Sequence, residues 1–282
     1  MQSDTRTITE HCRSSDLAPE KVKIAITLPT FRRPEHLIAT LNSLEALNAG
    51  EEAAVVVMDN DAEGLDGANA ASEWLQTSRL KGLVIVAHQR GNCHAYNAGW
   101  QTALQTFAGL EHIAVIDDDE LATPGWLDGL RETAKRTGAD LVGGPQTPVF
   151  SDPSLERWRN HPVFQPHYDQ SGPVPILYSS GNVMISRAVL EAMPQPFLDP
   201  AFNFIGGGDS DFYRRAKARG FGFAWCAEAA VMETLPSRRT EFSWLNARSL
   251  RNGAISAIIE KRQNPGAAGR LRRFGKSLAL LL

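Results

Sequence analysis

Short, nearly continuous apolar runs alternate along the first half of the chain with stretches whose apolar residues recur at helical spacing. The runs at 23–29, 53–58, 83–87 and 113–116 read as strands buried on both faces, since a strand with one wet face would alternate polar and apolar positions. Between the first two, Pro29 and Pro34 punctuate a loop, and Leu37, Leu41, Leu44 and Leu47 predict a helix. A second helix is expected around 70–76, and a third runs through Ala98, Leu104 and Phe107. Strand and helix alternating at this spacing predict an α/β fold, a mainly parallel Rossmann-like sheet flanked by helices on both sides.

The second half is less regular. A helix from Pro124 to Lys135 or Arg136 stops at Gly138, and 140–144 reads as another strand. From 145 to 175 the chain is dense in proline and aromatics, including Trp158, Phe164 and Tyr168, with little periodicity. A loop of that length is either a lid or binding loop or a surface excursion. Order returns with a strand at 178–185, a helix at 187–193, three glycines at 206–208 opening a helix to Arg219, and a strand at 222–232. A last helix, 242–260, repeats Leu245, Leu250, Ala254 and Ile258 and is expected to pack on the core.

Composition adds bounds rather than direction. The 282 residues carry a net charge of −3, so no basic field points to nucleic acid. The three cysteines, Cys12, Cys93 and Cys226, lack metal-ligand spacing and suit a reducing compartment. No signal-like segment precedes residue 21, and no run of about 20 apolar residues offers a membrane span. These features lead us to expect a cytoplasmic protein with a loose segment at 1–21, one folded unit at 22–260 and a tail at 261–282. That tail holds Lys261, Arg262, Arg270, Arg272, Arg273 and Lys276 before an apolar end. It reads either as a peripheral contact with an anionic inner membrane or as a self-packed terminal helix.

The candidate chemistry begins where 113–116 delivers Asp117, Asp118, Asp119 and Glu120. Crowded carboxylates at a strand's carboxyl end repel one another unless a hard cation such as Mg²⁺ or Mn²⁺ neutralises them, and such a cation usually shares its ligands with a phosphate. A solvated acidic turn capped by Thr123 is the alternative. Asp209, where the glycine-rich loop becomes a helix, is by the same token either an N-cap or a reactive carboxylate.

Taken in order, these pieces resemble glycosyltransferase family 2, inverting sugar-nucleotide-dependent enzymes of GT-A fold, and most of all bacterial transferases of the succinoglycan type. The resemblance rests on Leu28-Pro29-Thr30-Phe31-Arg32-Arg33-Pro34, Val57-Met58-Asp59-Asn60, the segment 91–99, and Ile116-Asp117-Asp118-Asp119-Glu120. It continues through Gly181-Asn182-Val183, Gly207-Gly208-Asp209-Ser210-Asp211-Phe212 and Glu233-Thr234-Leu235-Pro236. It implies a nucleotide-binding half at 22–144 and an acceptor and catalytic-base half at 145–260. By position, Pro29, Thr30 and Arg32 would lie beside the nucleotide and Asp59 would bond its base. Asp119 and Asp117 would hold the metal, Asp117 and Asp118 would face the nucleotide sugar, Arg238 or Arg239 would bond the diphosphate, and Asp209 would be the catalytic base. The implied partners are a nucleoside-diphosphate sugar, a UDP-sugar foremost, and a glycan or lipid-linked acceptor. Two departures stand out: Gly208 where glutamate is usual, and Tyr96 where arginine is frequent. They keep open a non-catalytic sugar-nucleotide binder, and a nucleotidyltransferase is the third reading.

Overall fold

The computed structural model describes residues 7–267, 269–271 and 275. The chain runs through β1 (Ile8–Arg13), β2 (Ile24–Thr30), α1 (Pro34–Glu45), β3 (Ala53–Asp59), α2 (Asp66–Thr77), β4 (Gly82–Ala87), α3 (Asn92–Thr106) and β5 (His112–Ile116). β2, β3 and β4 are buried at every position, which explains why their sequences carry no polar alternation. β2 pairs in parallel with β3 and β5, and β3 with β4. The register Thr30↔Asp59 brings the ends of β2 and β3 to one carboxyl edge, and β5 delivers its acids to the same edge.

The second half adds β6 (Glu120–Ala122), α4 (Trp126–Thr137), β7 (Leu141–Gly143), β8 (Gln146–Phe150), β9 (Gly172–Val174), β10 (Asn182–Ser186), α5 (Arg187–Ala192), α6 (Gly208–Ala218), β11 (Phe223–Trp225), β12 (Val231–Leu235) and α7 (Phe242–Gln263). The main sheet has the order β1-β4-β3-β2-β5-β10-β7-β11-β9, and a small sheet has the order β6-β12-β8. The main sheet is parallel from β4 to β5. Beyond that it is mixed, because β10 runs antiparallel to both β5 and β7.

Three expectations change here. Ile8–Arg13, inside the stretch expected to be loose, is an edge strand antiparallel to β4. The single strand expected at 222–232 is two strands in different sheets, turned at 226–230. The aperiodic stretch 145–175 contains β8, β9 and two 3₁₀ turns, Pro153–Trp158 and Pro162–Phe164. Half of the basic and apolar tail, residues 268, 272–274 and 276–282, lies outside the described residues.

One face of the sheet is covered by α1, α2 and α4 through Leu37, Leu41, Leu75, Trp126 and Leu130. The other face centres on Trp100 of α3, whose ring lies 5.8 Å from Tyr96, 5.9 Å from Phe197 and 5.3 Å from Phe212. That cluster ties α3 to α6 and so fixes where the first turn of α6, with Asp209, meets the carboxyl edge. Gly207 precedes α6 at φ 92°, and a Cβ there would stand 2.3 Å from Ile255 Cγ2 of α7. Gly207→Ala is therefore expected to cost roughly 1–3 kcal/mol, from the left-handed backbone and the overpacking together. Denaturant unfolding with an unchanged midpoint would refute that account.

Candidate active site

At the carboxyl edge lies a cavity of about 540 Å³ whose walls include Pro29, Thr30, Arg33, Asp117, Asp118 and Asp119. A second cavity of about 210 Å³ opens beside it, with Asp209 in its wall among the rings of Phe164, Tyr168, Tyr178, Trp225 and Trp244. The stretch 145–175 thus supplies part of this second wall. Gln146, Ser179, Glu233, Arg239 and Arg248 line both cavities.

Each acid of the cluster has its own anchor. The Asp117 carboxylate accepts a hydrogen bond from the Tyr96 hydroxyl, so the residue that departs from the family pattern orients a candidate ligand from below. Burial pushes Asp117 up to about 7; the Tyr96 bond pulls it back, and the charges of Asp119, Asp118 and Glu233 add to the rise. Asp118 is buried and accepts from Thr30 Oγ1 at 2.9 Å and Arg33 Nη1 at 3.3 Å. Burial raises its pKa too. Asp119 Oδ2 faces Arg33 Nη1 at 3.1 Å and Arg239 Nη2 at 3.7 Å. Glu120 points inward: it accepts from the Asp117 backbone N–H at 2.9 Å and from Gln146, and burial holds it well above the usual carboxylate range.

The small sheet completes the cluster. Glu233 of β12 stands opposite Glu120 of β6 in register, and Thr234 N donates to Asp119 O at 2.9 Å. Glu233 pairs with Arg239, and burial raises its pKa. Gly181 belongs to the same packing, since a Cβ there would lie 2.6 Å from Glu120 Oε1 and 3.0 Å from Asp117 Oδ2.

Asp209 sits in the first turn of α6, its Oδ1 accepting from Ser210 N at 2.7 Å. Burial raises its pKa, and nearby hydrogen bonds and the Arg248 charge oppose the rise. Gly208 packs so that a Cβ would meet Cys93 Sγ at 2.8 Å, and the glutamate usual in the family is not accommodated without movement there.

Not every expected residue reaches the cavities. Arg32, at φ 57°, turns away and bonds Asp61 through Nε at 2.7 Å; its neighbour Arg33 takes the wall position. Asp59 is fully buried, its oxygens accepting from Asp61 N at 2.9 Å and Ala68 N at 2.7 Å, so it anchors the start of α2 while Asn60 lines the cavity. Of the arginine pair only Arg239 lines the cavities; Arg238 is exposed on the 3₁₀ turn Ser237–Thr240. Gln146, Trp244 and Arg248 are wall residues that motif reading does not single out, and Glu233 enters it only as part of a motif with no role of its own, because they gain meaning only once β8, β12 and α7 converge.

As for a cation, no group of three or more His, Cys, Asp and Glu side chains among the described residues is arranged to hold one unaided. The donor set does suit a hard divalent ion shared with a phosphate. Asp117 and Asp119 line one cavity, and the burial penalty and, after it, the mutual repulsion that raise Asp117 are what such an ion relieves.

An open α/β sheet with an acid cluster beyond the carboxyl ends of its parallel strands has the architecture of the GT-A fold. This chain belongs to glycosyl transferase family 2, which matches residues 25–193. It is 32% identical over 238 residues to the succinoglycan biosynthesis protein ExoM of Rhizobium meliloti (strain 1021), covering 83% of this chain and 74% of that protein. Among solved structures, S. aureus TarS 1-349 in complex with UDP matches with TM-score 0.61 at 14% identity, over 85% of this chain and 64% of that one. The mannosyltransferase PcManGT from Pyrobaculum calidifontis in complex with GDP-Man and Mn²⁺ matches with TM-score 0.61 at 16% identity, over 89% and 68%. This chain therefore spans less than two thirds of the TarS fragment, and these two likenesses speak for the shared fold.

Proposed function

We propose that this chain is a metal-assisted, inverting glycosyltransferase. It moves a sugar from a nucleoside diphosphate to a hydroxyl of a glycan or lipid-linked acceptor in polysaccharide biosynthesis. The observation that carries the reading is the shared wall between the two cavities: Asp117, Asp118, Asp119 and Arg33 lie on one side, Asp209 on the other, and Arg239 and Arg248 in the wall between. Inversion needs that separation, because the acceptor oxygen must enter the anomeric carbon opposite the departing diphosphate.

In the step itself, the acceptor O–H oxygen forms the new bond to the anomeric carbon. The bond from that carbon to the phosphate oxygen breaks, and its electron pair leaves with the nucleoside diphosphate. Asp209 accepts the acceptor's proton as the nucleophile attacks. Arg239, fixed by Glu233, and Arg33 present N–H groups toward the side where charge grows. Tyr96 and Thr30 hold Asp117 and Asp118 in place by hydrogen bonds. Asp117 and Asp119 would hold Mn²⁺ or Mg²⁺, and when bound the ion supplies Lewis-acid stabilisation of the diphosphate.

A sugar-nucleotide donor is supported by the neighbours, since TarS has been solved with UDP and UDP-GlcNAc, and PcManGT with GDP-Man and Mn²⁺. The role in polysaccharide assembly is supported by ExoM. Nucleoside-diphosphate release from a panel of UDP-, GDP- and dTDP-sugars, with Mn²⁺, Mg²⁺ or EDTA, tests the proposal. Metal-stimulated release is expected for one donor family. Binding without release, even with lipid-linked acceptors added, would leave a sugar-nucleotide binder instead, and release of pyrophosphate would mark a nucleotidyltransferase.

Peripheral contact with an anionic membrane on the cytoplasmic side belongs to the same proposal. None of the described helices is long and apolar enough to cross a membrane. α7 nevertheless leaves Phe242 and Leu250 exposed, and Lys261, Arg262 and Arg270 follow them. Flotation with vesicles rich in phosphatidylglycerol is expected to weaken when residues 264–282 are removed; equal flotation of both chains would refute this part.

A further inference from the structure

The cations around the larger cavity are not equivalent. Arg33 bonds Asp118 and Asp119, Arg239 pairs with Glu233, and Arg90 lies over the Phe31 ring at 4.9 Å. Arg248, projecting from α7 into the wall common to both cavities, is different. Its Nε is buried and has no hydrogen-bond partner among the described residues. Its guanidinium packs 5.2 Å from the centre of the Trp244 ring, which offers a cation a π face but no acceptor for Nε. Burial lowers its pKa and the charge of Arg251 lowers it further, while Glu233 and Asp209 pull it back. Neither carboxylate meets the need of the Nε–H. Glu233 pairs with Arg239 and Asp209 Oδ1 accepts from Ser210 N, and among the described residues no carboxylate oxygen makes a hydrogen bond with Nε.

A guanidinium held partly desolvated with an unmet donor costs stability in the free protein, and the cost is recovered when an anion arrives. Position narrows which anion. Arg248 stands where the acid cluster's cavity meets the cavity of Asp209, which is where a reacting anomeric carbon and its departing oxygen would lie. A planar fork of N–H donors suits phosphate oxygens, and donors aimed at developing charge act more strongly there than on the ground state.

We infer that Arg248 is the residue that receives the terminal phosphate of the donor's diphosphate, holding the leaving group at the junction of the two cavities. The inference rests on the donor reading above and deepens it. Arg248 touches the leaving group, Arg239 is braced beside it by Glu233, and Asp209 faces the acceptor.

The test is calorimetric titration of the native chain, Arg248→Met and Arg248→Lys with UDP, GDP, inorganic pyrophosphate, uridine and guanosine, with and without Mn²⁺, alongside thermal melts. Arg248→Met is expected to weaken binding of the preferred nucleoside diphosphate and of pyrophosphate about ten- to a hundred-fold, the range for a hydrogen bond to a charged group. Nucleoside binding is expected to stay unchanged. Arg248→Lys, which keeps the charge and loses the fork, should fall between the two. The unliganded melting temperature of Arg248→Met should not drop, because the substitution removes a donor that had no partner, while the stabilisation conferred by the nucleoside diphosphate should shrink.

Native diphosphate affinity in Arg248→Met would overturn the inference and turn attention to an anionic group on the acceptor. Equal loss for nucleoside and nucleoside diphosphate, or a destabilised free protein with diphosphate affinity intact, would overturn it in favour of a packing role. If the native chain binds none of the diphosphates, the donor reading itself fails and this inference with it.

Discussion

Asp209→Asn is expected to lower turnover by about 10²–10⁴-fold, the usual contribution of a positioned general base, while leaving nucleoside-diphosphate affinity within a factor of about two, well under the tenfold that 1.4 kcal/mol represents. Asparagine keeps the oxygen that accepts from Ser210 N, so the first turn of α6 should hold and the melting temperature should stay close to native. The loss would then belong to the proton. The pH profile gives an independent reading. Burial penalises the charged form of Asp209, so its pKa lies above the ordinary carboxylate value, and the carboxylate is the form that accepts a proton. Transfer should accordingly fall as the pH drops through that raised pKa, with its acid limb displaced upward from where an exposed aspartate would put it. In Asp209→Asn that limb should vanish from the residual rate. A variant with native turnover, or one whose acid limb is unchanged, would take the base role away from Asp209.

How much of this could be read from the sequence depended on burial. β2 to β5 were legible because a strand covered on both faces has little choice but a continuous apolar run. β1 was not, since Ile8–Arg13 mixes Glu10, His11 and Arg13 with its apolar residues, as an edge strand can. The strand expected at 222–232 broke in two for the opposite reason. Its turn has Cys226 and Ala229 buried and only Glu228 as a polar, exposed residue, with no glycine or proline to punctuate it.

The site followed the same logic. The acids at 117–119 were visible as a run, and the structure does set them around one cavity. Adjacent like residues were harder: Arg32 and Arg33, or Arg238 and Arg239, differ only in direction. A positive φ at Arg32 sends it to Asp61, and the 3₁₀ turn after β12 leaves Arg238 in solvent. Asp59 misled because a strand-end carboxylate can serve the backbone as readily as a ligand. With the Ala68 and Asp61 N–H groups within reach, it does the former. Arg248 could not be found at all from spacing. On α7 it looks like one of several arginines, and only the convergence of α7 with β8 and β12 makes it a half-buried wall residue with a buried Nε.

Asp119→Ala separates the metal from the arginines that share its carboxylate. In the free protein Asp119 Oδ2 holds Arg33 at 3.1 Å and stands 3.7 Å from Arg239, so the same oxygen that would ligate a cation also restrains two donors for phosphate. Removing it should abolish the metal-dependent part of donor binding and lower turnover on the order of 10²–10³-fold, comparable to deleting one dedicated transition-state donor. It should not abolish binding in EDTA, because Arg33 and Arg239 become free to meet the diphosphate directly. The expected signature is therefore an affinity for nucleoside diphosphate that no longer responds to Mn²⁺, with a weak residual release that is equal in metal and in chelator. Asp118→Asn serves as the comparison. Asp118 is buried against Thr30 and Arg33, so its loss should loosen the cluster yet preserve a response to Mn²⁺. If Asp119→Ala kept the native Mn²⁺ response while Asp118→Asn lost it, the ligand assignment would move one residue back along the chain, and the Arg33 contact to Asp119 would be a structural brace.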